Sequence, residues 1–245
     1  MANFSQLLKA YDDYVATFAP LSEMMRLKRI HTGFVVKNAE QIAAEEGFTP
    51  EEAEKARAAA LLHDTGRYEQ LKRYNTFRDC DSVDHAVFSH DIVVEKGWAQ
   101  DEDVLTAILV HNRRDIPNNL PPLREKICHV VRDADKLDIF RVLEAQIDAH
   151  PDWKKEAGTA FWNLKVDEAP NDEVCKAIIE RRPVDYQLIK SLSDFILIQI
   201  GWMVSGLHFA TSRRLAKERG HLEFRRRILH ELSSSPWIDK LCDLV

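Results

Sequence analysis

Glycine and proline are scarce in this chain, 8 and 9 of 245 residues, and alternation of apolar with polar residues is almost missing. A sheet needs turns and a period of two, so a β-rich architecture is excluded; apolar residues recurring at helical spacing predict an all-α fold instead. The four cysteines, Cys80, Cys128, Cys175 and Cys242, lie far apart with no paired spacing. That pattern fits reduced thiols without a catalytic role, and neither a disulfide framework nor a zinc knuckle. No basic segment followed by an apolar stretch occurs near residue 1, so a secretory signal is not indicated and a cytoplasmic location is expected. The most apolar run, Phe195 to Ala210, is interrupted by Gln199, Gly201, Gly206 and His208. It falls short of the roughly 20 apolar residues that span a bilayer, so no membrane contact is expected and the run reads as a buried core helix. A basic tail is absent too: 34 basic against 40 acidic residues leave a net charge of −6, which gives no electrostatic support for binding a nucleic acid polymer.

What is present is a hydrophobic content of 45%, enough for a full core in one large domain or two lobes. A first helix is expected near 22–46, with Ser22 as N-cap and Gly47 as terminator, and with Leu27, Ile30, His31, Phe34, Val35 and Ile42 on one broad side toward the core. The next starts clearly: Thr49 as N-cap, Pro50 at the first helical position and Glu52 completing a capping box. Its alanine-rich body ends in Leu61-Leu62-His63-Asp64, stopped by Thr65-Gly66. A polar and aromatic loop, 66–83, should lead to a helix opened by Ser82, with His85 in its first turn, closed near Gly97. Val104, Ile108 and His111 share an apolar stripe over 101–111, a loop follows to Pro122, and 123–148 reads as a helix with Cys128, Val131, Asp135 and Asp138 on neighbouring parts of one face. Beyond 150 come a loop-like 151–171, a helix near 172–181, a long apolar helix 185–210 and shorter basic helices. The expected organisation is a metal-binding helical part, 1–150, with a C-terminal helical extension, 151–245, packed on it as one structural unit.

Four imidazoles and two carboxylates then stand out on or beside these helices: His31, His63, Asp64, His85, His111 and Asp135. Neutral imidazole and carboxylate are the usual ligands of borderline divalent ions, and a shared carboxylate can bridge two of them. A single histidine of this kind is more often a hydrogen-bonded core or surface residue. The set is different, because a helix ending in His63-Asp64 would bury polar groups at considerable cost without hydrogen bonds or metal.

His31, the His63-Asp64-Thr-Gly-Arg67 segment and the Asp135-Lys136-Leu-Asp138 segment, taken together, resemble the HD-domain superfamily of metal-dependent phosphohydrolases over roughly residues 25–140. The resemblance implies an HD-type helical bundle, to which the C-terminal helices are an addition. It makes His31, His63, Asp64 and Asp135 ligands of one ion. His85 and His111 match the additional histidines of two-metal members, with Asp64 as the bridge; His90 and His129 are the competing choices. The implied cofactor is one or two divalent ions, Mn, Fe, Mg or Zn. The implied reaction is hydrolysis of a nucleotide or another small phosphate ester by metal-activated water. Two alternatives accompany it: an HD-type diiron oxygenase of a small polar substrate, and a noncatalytic nucleotide sensor.

Around these ligands, Arg67 and Lys136 are candidates to contact phosphate, with Lys72, Arg73, Arg78, Arg113 and Arg114 as weaker ones. Asp138 is expected to support a ligand histidine from behind. Tyr68, Tyr74 and Phe77 offer surfaces on which a base could stack, although ordinary packing suffices for at least two of them. Apolar 195–210 with Trp202 serves either the monomer core or a homo-oligomer contact, and the basic stretch Arg213 to Arg227 reads as a solvated helix face.

Overall fold

The computed structural model describes residues 3–150, 152–154, 164–166 and 168–245. They are helical, as expected: α1 (Phe4–Ala16), α2 (Glu23–Glu45), α3 (Pro50–Leu62), α4 (Gly66–Tyr74), α5 (His85–Glu95), α6 (Glu102–Val110), α7 (Pro122–Ala149), α8 (Asp172–Ile179), α9 (Leu192–Gly201), α10 (Ala210–Glu218), α11 (His221–Leu232) and α12 (Trp237–Cys242). Among the described residues the extended pairing amounts to one isolated parallel bridge, Lys165 with Ser191. No described helix is long and apolar enough to cross a membrane. The chain divides into two compact units, 1–138 and 139–245, so the division falls inside α7, ahead of the boundary near 150 that the sequence suggests.

In the first unit α3 packs on α1, α2 and α6, and α5 packs on α4 and α6. Its helix starts are set by side chains: Ser22 accepts from the Met25 amide, Thr49 and Glu52 form the expected capping box, and Asp101 accepts from Asp103 and Val104. These caps satisfy amide groups that would otherwise have no partner. Three expectations are corrected. The segment 66–83 is not all loop, because 66–74 is α4, stabilised by an Arg73–Glu69 pair one turn apart and closed by Asn75 in the left-handed conformation. The cap of α5 is Asp84 rather than Ser82: the Asp84 carboxylate accepts from the Ala86 and Val87 amides. Finally, Ile30 and Phe34 are 51% and 37% exposed. The buried stripe of α2 runs instead through Met25, His31, Thr32, Val35, Asn38 and Ile42, narrower than the sequence pattern implies.

Gly66 fixes the join between α3 and α4. Its amide donates to Ser89 Oγ at 2.9 Å, and a Cβ there would stand 2.7 Å from the Ser89 nitrogen. Only glycine lets the start of α4 come this close to α5.

The second unit has its own core, built from Val174, Ile178, Leu192, Ile196, Leu197, Ile200, Ile228, Leu229, Ile238 and Leu241 among others. The expected helix 185–210 is not continuous. It begins at a capping box formed by Ser191 and Asp194, and after Gly201 it widens into a single π turn, Trp202–Gly206, before the chain extends at Leu207. The expected loop 151–171 lies largely outside the described residues.

Candidate metal centre

Each of the four histidines has one ring nitrogen already committed. His31 Nδ1 donates to Asp138 Oδ2 at 2.6 Å, His63 Nδ1 to the Ala60 carbonyl at 2.8 Å, His85 Nδ1 to Asp79 Oδ2 at 2.5 Å, and His111 Nδ1 to the Ile108 carbonyl at 2.7 Å. A proton on Nδ1 leaves the lone pair on Nε2 in the neutral ring, which is the tautomer a metal requires. The helices explain two of these contacts. His63 and His111 end α3 and α6, where carbonyls one turn back lack intrahelical partners and accept the ring N–H. Helix α7 reinforces the end of α6, since Arg132 donates to the Val110 and His111 carbonyls at 3.0 and 3.3 Å.

All four Nε2 atoms converge on Asp64. Its Oδ2 lies 3.6 Å from both His31 Nε2 and His63 Nε2, while its Oδ1 lies 3.6 Å from His85 Nε2 and 3.7 Å from His111 Nε2. Asp135 Oδ1 adds to the first group, 3.1 Å from His31 Nε2 and 3.8 Å from His63 Nε2. Ligand atoms about 2.1 Å from a common ion are roughly 3.0–3.4 Å apart at tetrahedral or octahedral angles, so a small contraction is all an ion would demand.

The donor set fits a cation on a further ground. His31 Nε2 and His63 Nε2 are fully buried and accept no hydrogen bond, at a cost of about 1–3 kcal/mol each. The His85 and His111 Nε2 atoms face each other at 3.0 Å, two lone pairs with no proton between them in the neutral rings. Burial pushes His63 down to about 4. It does the same to His85, helped by Arg67 and His111 against the pull of Asp79, to about 3. Burial would raise Asp64, yet Lys28, His63 and Arg67 hold it well below the usual carboxylate range. At neutral pH His63 and His85 are therefore neutral imidazoles beside an ionised Asp64. At His31, by contrast, burial and Lys28 are outweighed by Asp135 and Asp138, which raise it above its ordinary value.

Residues 29–140 match the family model of the HD domain. The chain carries an HD domain. No curated protein and no solved structure matches it. The family consists mostly of metal-dependent hydrolases that bind divalent ions, and two groups in this HD domain, His31–His63–Asp135 and His63–Asp64–His111, bring ligand atoms within 4.8 Å of one another. A third group, Asp79–Asp84–His85, is equally close, but Asp79 there accepts a hydrogen bond from His85 Nδ1–H and Asp84 caps α5.

Of the expected phosphate contacts, Arg67 is near the centre but heavily engaged. Its Nε reaches Asp64 Oδ1 at 3.4 Å, and Nη1 donates to Gln70 Oε1, the Phe77 carbonyl and Asp79 Oδ1 at 2.9, 2.7 and 3.1 Å. Lys136 is part-buried next to Asp135 on α7, and loss of hydration is the main cause pulling its ammonium down to about 8. Arg73, Arg78, Arg113 and Arg114 pair with Glu69, Asp81, Asp84 and Asp115. Lys72 is well exposed over the Phe18 ring. Tyr68 is corrected from a stacking candidate to a core residue, its hydroxyl bonded to Tyr11. Tyr74 is exposed at the end of α4, and Phe77 lies under the charged ends of Lys28 and Arg67, 5.6 and 5.5 Å from its ring centre. His90 pairs with Asp91 and His129 with Glu125, so neither joins the cluster.

Two residues at the centre escaped the sequence reading. Lys28 Nζ stands 2.6 Å from Asp64 Oδ2 with 19% of its side chain exposed. Its signal is position: it precedes His31 by three residues on α2, one turn away on the same face. Asp79 follows no helical pattern and leaves no such signal.

Proposed function

We propose that this HD domain is a phosphohydrolase acting on a nucleotide or other small phosphate ester through a pair of divalent ions bridged by Asp64. The observation that carries the reading is the division of labour at Asp64, whose two oxygens each face a separate pair of imidazole Nε2 atoms. His31, His63, Asp64 and Asp135 would hold one ion, and His85, His111 and Asp64 the other. Ions so held lower the pKa of bound water and offset phosphoryl charge. The chain's own groups do the rest. Asp138 and Asp79 keep His31 and His85 in the binding tautomer, and Lys28, pointing at Asp64 from the part-exposed side, is placed to take a phosphoryl oxygen. Phe77 offers an aromatic face under the same cation, which suits a substrate with a base or sugar.

The test is metal content and turnover on protein purified without added metal and without air. Expected are about two ions per chain, phosphate release from a panel of nucleotides and simple phosphomonoesters, and no substrate-dependent oxygen uptake. Iron with oxygen uptake and no phosphate release would overturn the hydrolase in favour of the oxidative alternative. Binding of nucleotide without any product, in all metals, would leave a sensor.

A second prediction concerns Lys28. An ammonium beside a metal site repels the ion but attracts the substrate anion, so Lys28→Met should bind Mn²⁺ at least as tightly as the parent. The same variant should bind inorganic phosphate to the loaded protein about tenfold more weakly, the size of one charge-assisted hydrogen bond. Isothermal titration in both directions checks it, and unchanged phosphate affinity would remove Lys28 from the substrate site.

A further inference from the structure

Three of the four imidazoles are oriented by helices: His31 by Asp138 of α7, His63 and His111 by carbonyls of the helices they end. His85 is oriented by a side chain from the loop between α4 and α5. Asp79, in a short helical turn over 79–81, accepts the hydrogen bond of His85 Nδ1–H on Oδ2. Its Oδ1 accepts from Arg67 Nη1 at 3.1 Å and Gln70 Nε2 at 3.0 Å, and Gln70 also ties down Ser82 Oγ and the Val83 carbonyl at 2.9 and 3.1 Å. Asn112, next to His111, reaches Asp79 Oδ2 at 3.4 Å. The contrast with Asp138 is one of exposure, 32% of the side chain for Asp79 against 1%.

We infer that Asp79 is a positioning residue that keeps the His85–His111 half of the centre open to metal, and that this half holds the exchangeable ion. The inference rests on the paired-ion reading above. With Asp79 in place, the His85 proton is on Nδ1 and the His85 and His111 Nε2 lone pairs face each other at 3.0 Å, a gap that a cation fills. Without an acceptor at Nδ1, His85 takes the other tautomer and its Nε2–H donates directly to His111 Nε2. One proton moves from Nδ1 to Nε2 by exchange with water, no charge changes, and the two ligands satisfy each other instead of an ion. Nothing equivalent is available to His31 and His63, whose orientation does not involve the loop.

The experiment is equilibrium Mn²⁺ titration of metal-stripped protein, followed by the electron paramagnetic resonance signal of free ion. The parent should take up two ions. Asp79→Ala should keep the tighter one unchanged and bind the second about 10–100-fold more weakly, the usual cost of losing a partner that orients a ligand. Asp79→Asn, which keeps an acceptor oxygen, should recover part of the loss. Gln70→Ala loosens the loop but leaves the acceptor, and should weaken the second ion less than Asp79→Ala. Two unaltered ions in Asp79→Ala, equal weakening of both, or a Gln70→Ala loss as large as that of Asp79→Ala would each overturn the inference. A parent that binds one ion would overturn the paired-ion reading itself, and the inference with it.

Discussion

Asp64→Asn protein should fold with its helical content intact, bind at most one ion with reduced affinity, and release phosphate at least about a hundredfold more slowly than the parent. The lower bound follows from ligand-orienting partners, whose removal alone typically costs 10–100-fold; a residue shared between both halves of the centre must cost more. Asn keeps the size and one acceptor oxygen but loses the charge that faces Lys28, Arg67 and all four imidazoles. Circular dichroism, Mn²⁺ titration and a phosphate-release assay on the same preparation separate lost chemistry from lost fold. Parental turnover in a variant of parental helicity would reject Asp64 as the bridge.

The second large effect is on stability and lies in the other unit. Arg225 is 0% exposed, and five hydrogen bonds use its donors: Nε and Nη2 to Gln199 Oε1, Nη1 to Glu144 Oε1 and the His221 carbonyl, Nη2 to the Phe140 carbonyl. His221 Nδ1 shares the same Glu144 oxygen at 2.6 Å. Removing one member of a buried ionic group leaves the remainder uncompensated, typically at 3–5 kcal/mol, so Arg225→Ala should lose stability by about that much. Denaturant unfolding measures it, and a change within about 0.5 kcal/mol, the range of ordinary surface substitutions, would show the network to be unimportant. The pH dependence has a defined sign. Burial would raise Glu144, but the hydrogen bonds from His221 and Arg225 outweigh it and hold the carboxyl below its ordinary value of 4.5. Its contribution is therefore present above pH 4.5 and lost as pH falls from there through the lower folded value. Glu144→Gln should flatten that part of the acid-unfolding curve.

The clustered imidazoles were legible through the HD resemblance, and helical periodicity added to it by placing His31, His63 and His111 on apolar faces or at helix ends, where an unpaired imidazole is costly and so informative. The orienting role of Asp138 was legible by its position one turn beyond Asp135. What periodicity conceals is a partner supplied by tertiary approach, as with Asp79, which sits in a stretch without pattern. Arg225 shows a different failure. Within Arg225-Arg226-Arg227 it looks like part of a solvated face, and its neighbours are indeed half-buried Arg226 and exposed Arg227. Its signal was the stripe His221, Arg225, Ile228 and Leu229, spaced four, three and one, all of them buried. The broken helix at Trp202–Gly206 was hidden by continuity of apolar character, since hydropathy reports burial and says little about backbone hydrogen bonding.

The close approach at Gly66 sets a tolerance for the whole centre. Asp64 and Arg67 flank it in sequence, while Ser89, its contact, is one turn beyond His85 on α5. A single methyl at residue 66 would thus act as a wedge between the Asp64 carboxylate and the helix that carries His85, one of its imidazole neighbours, opening that half of the cluster while leaving the α2 and α7 contributions where they are. On the paired-ion reading, such a change would leave a centre suited to a single ion, without altering any of the six side chains proposed to hold metal.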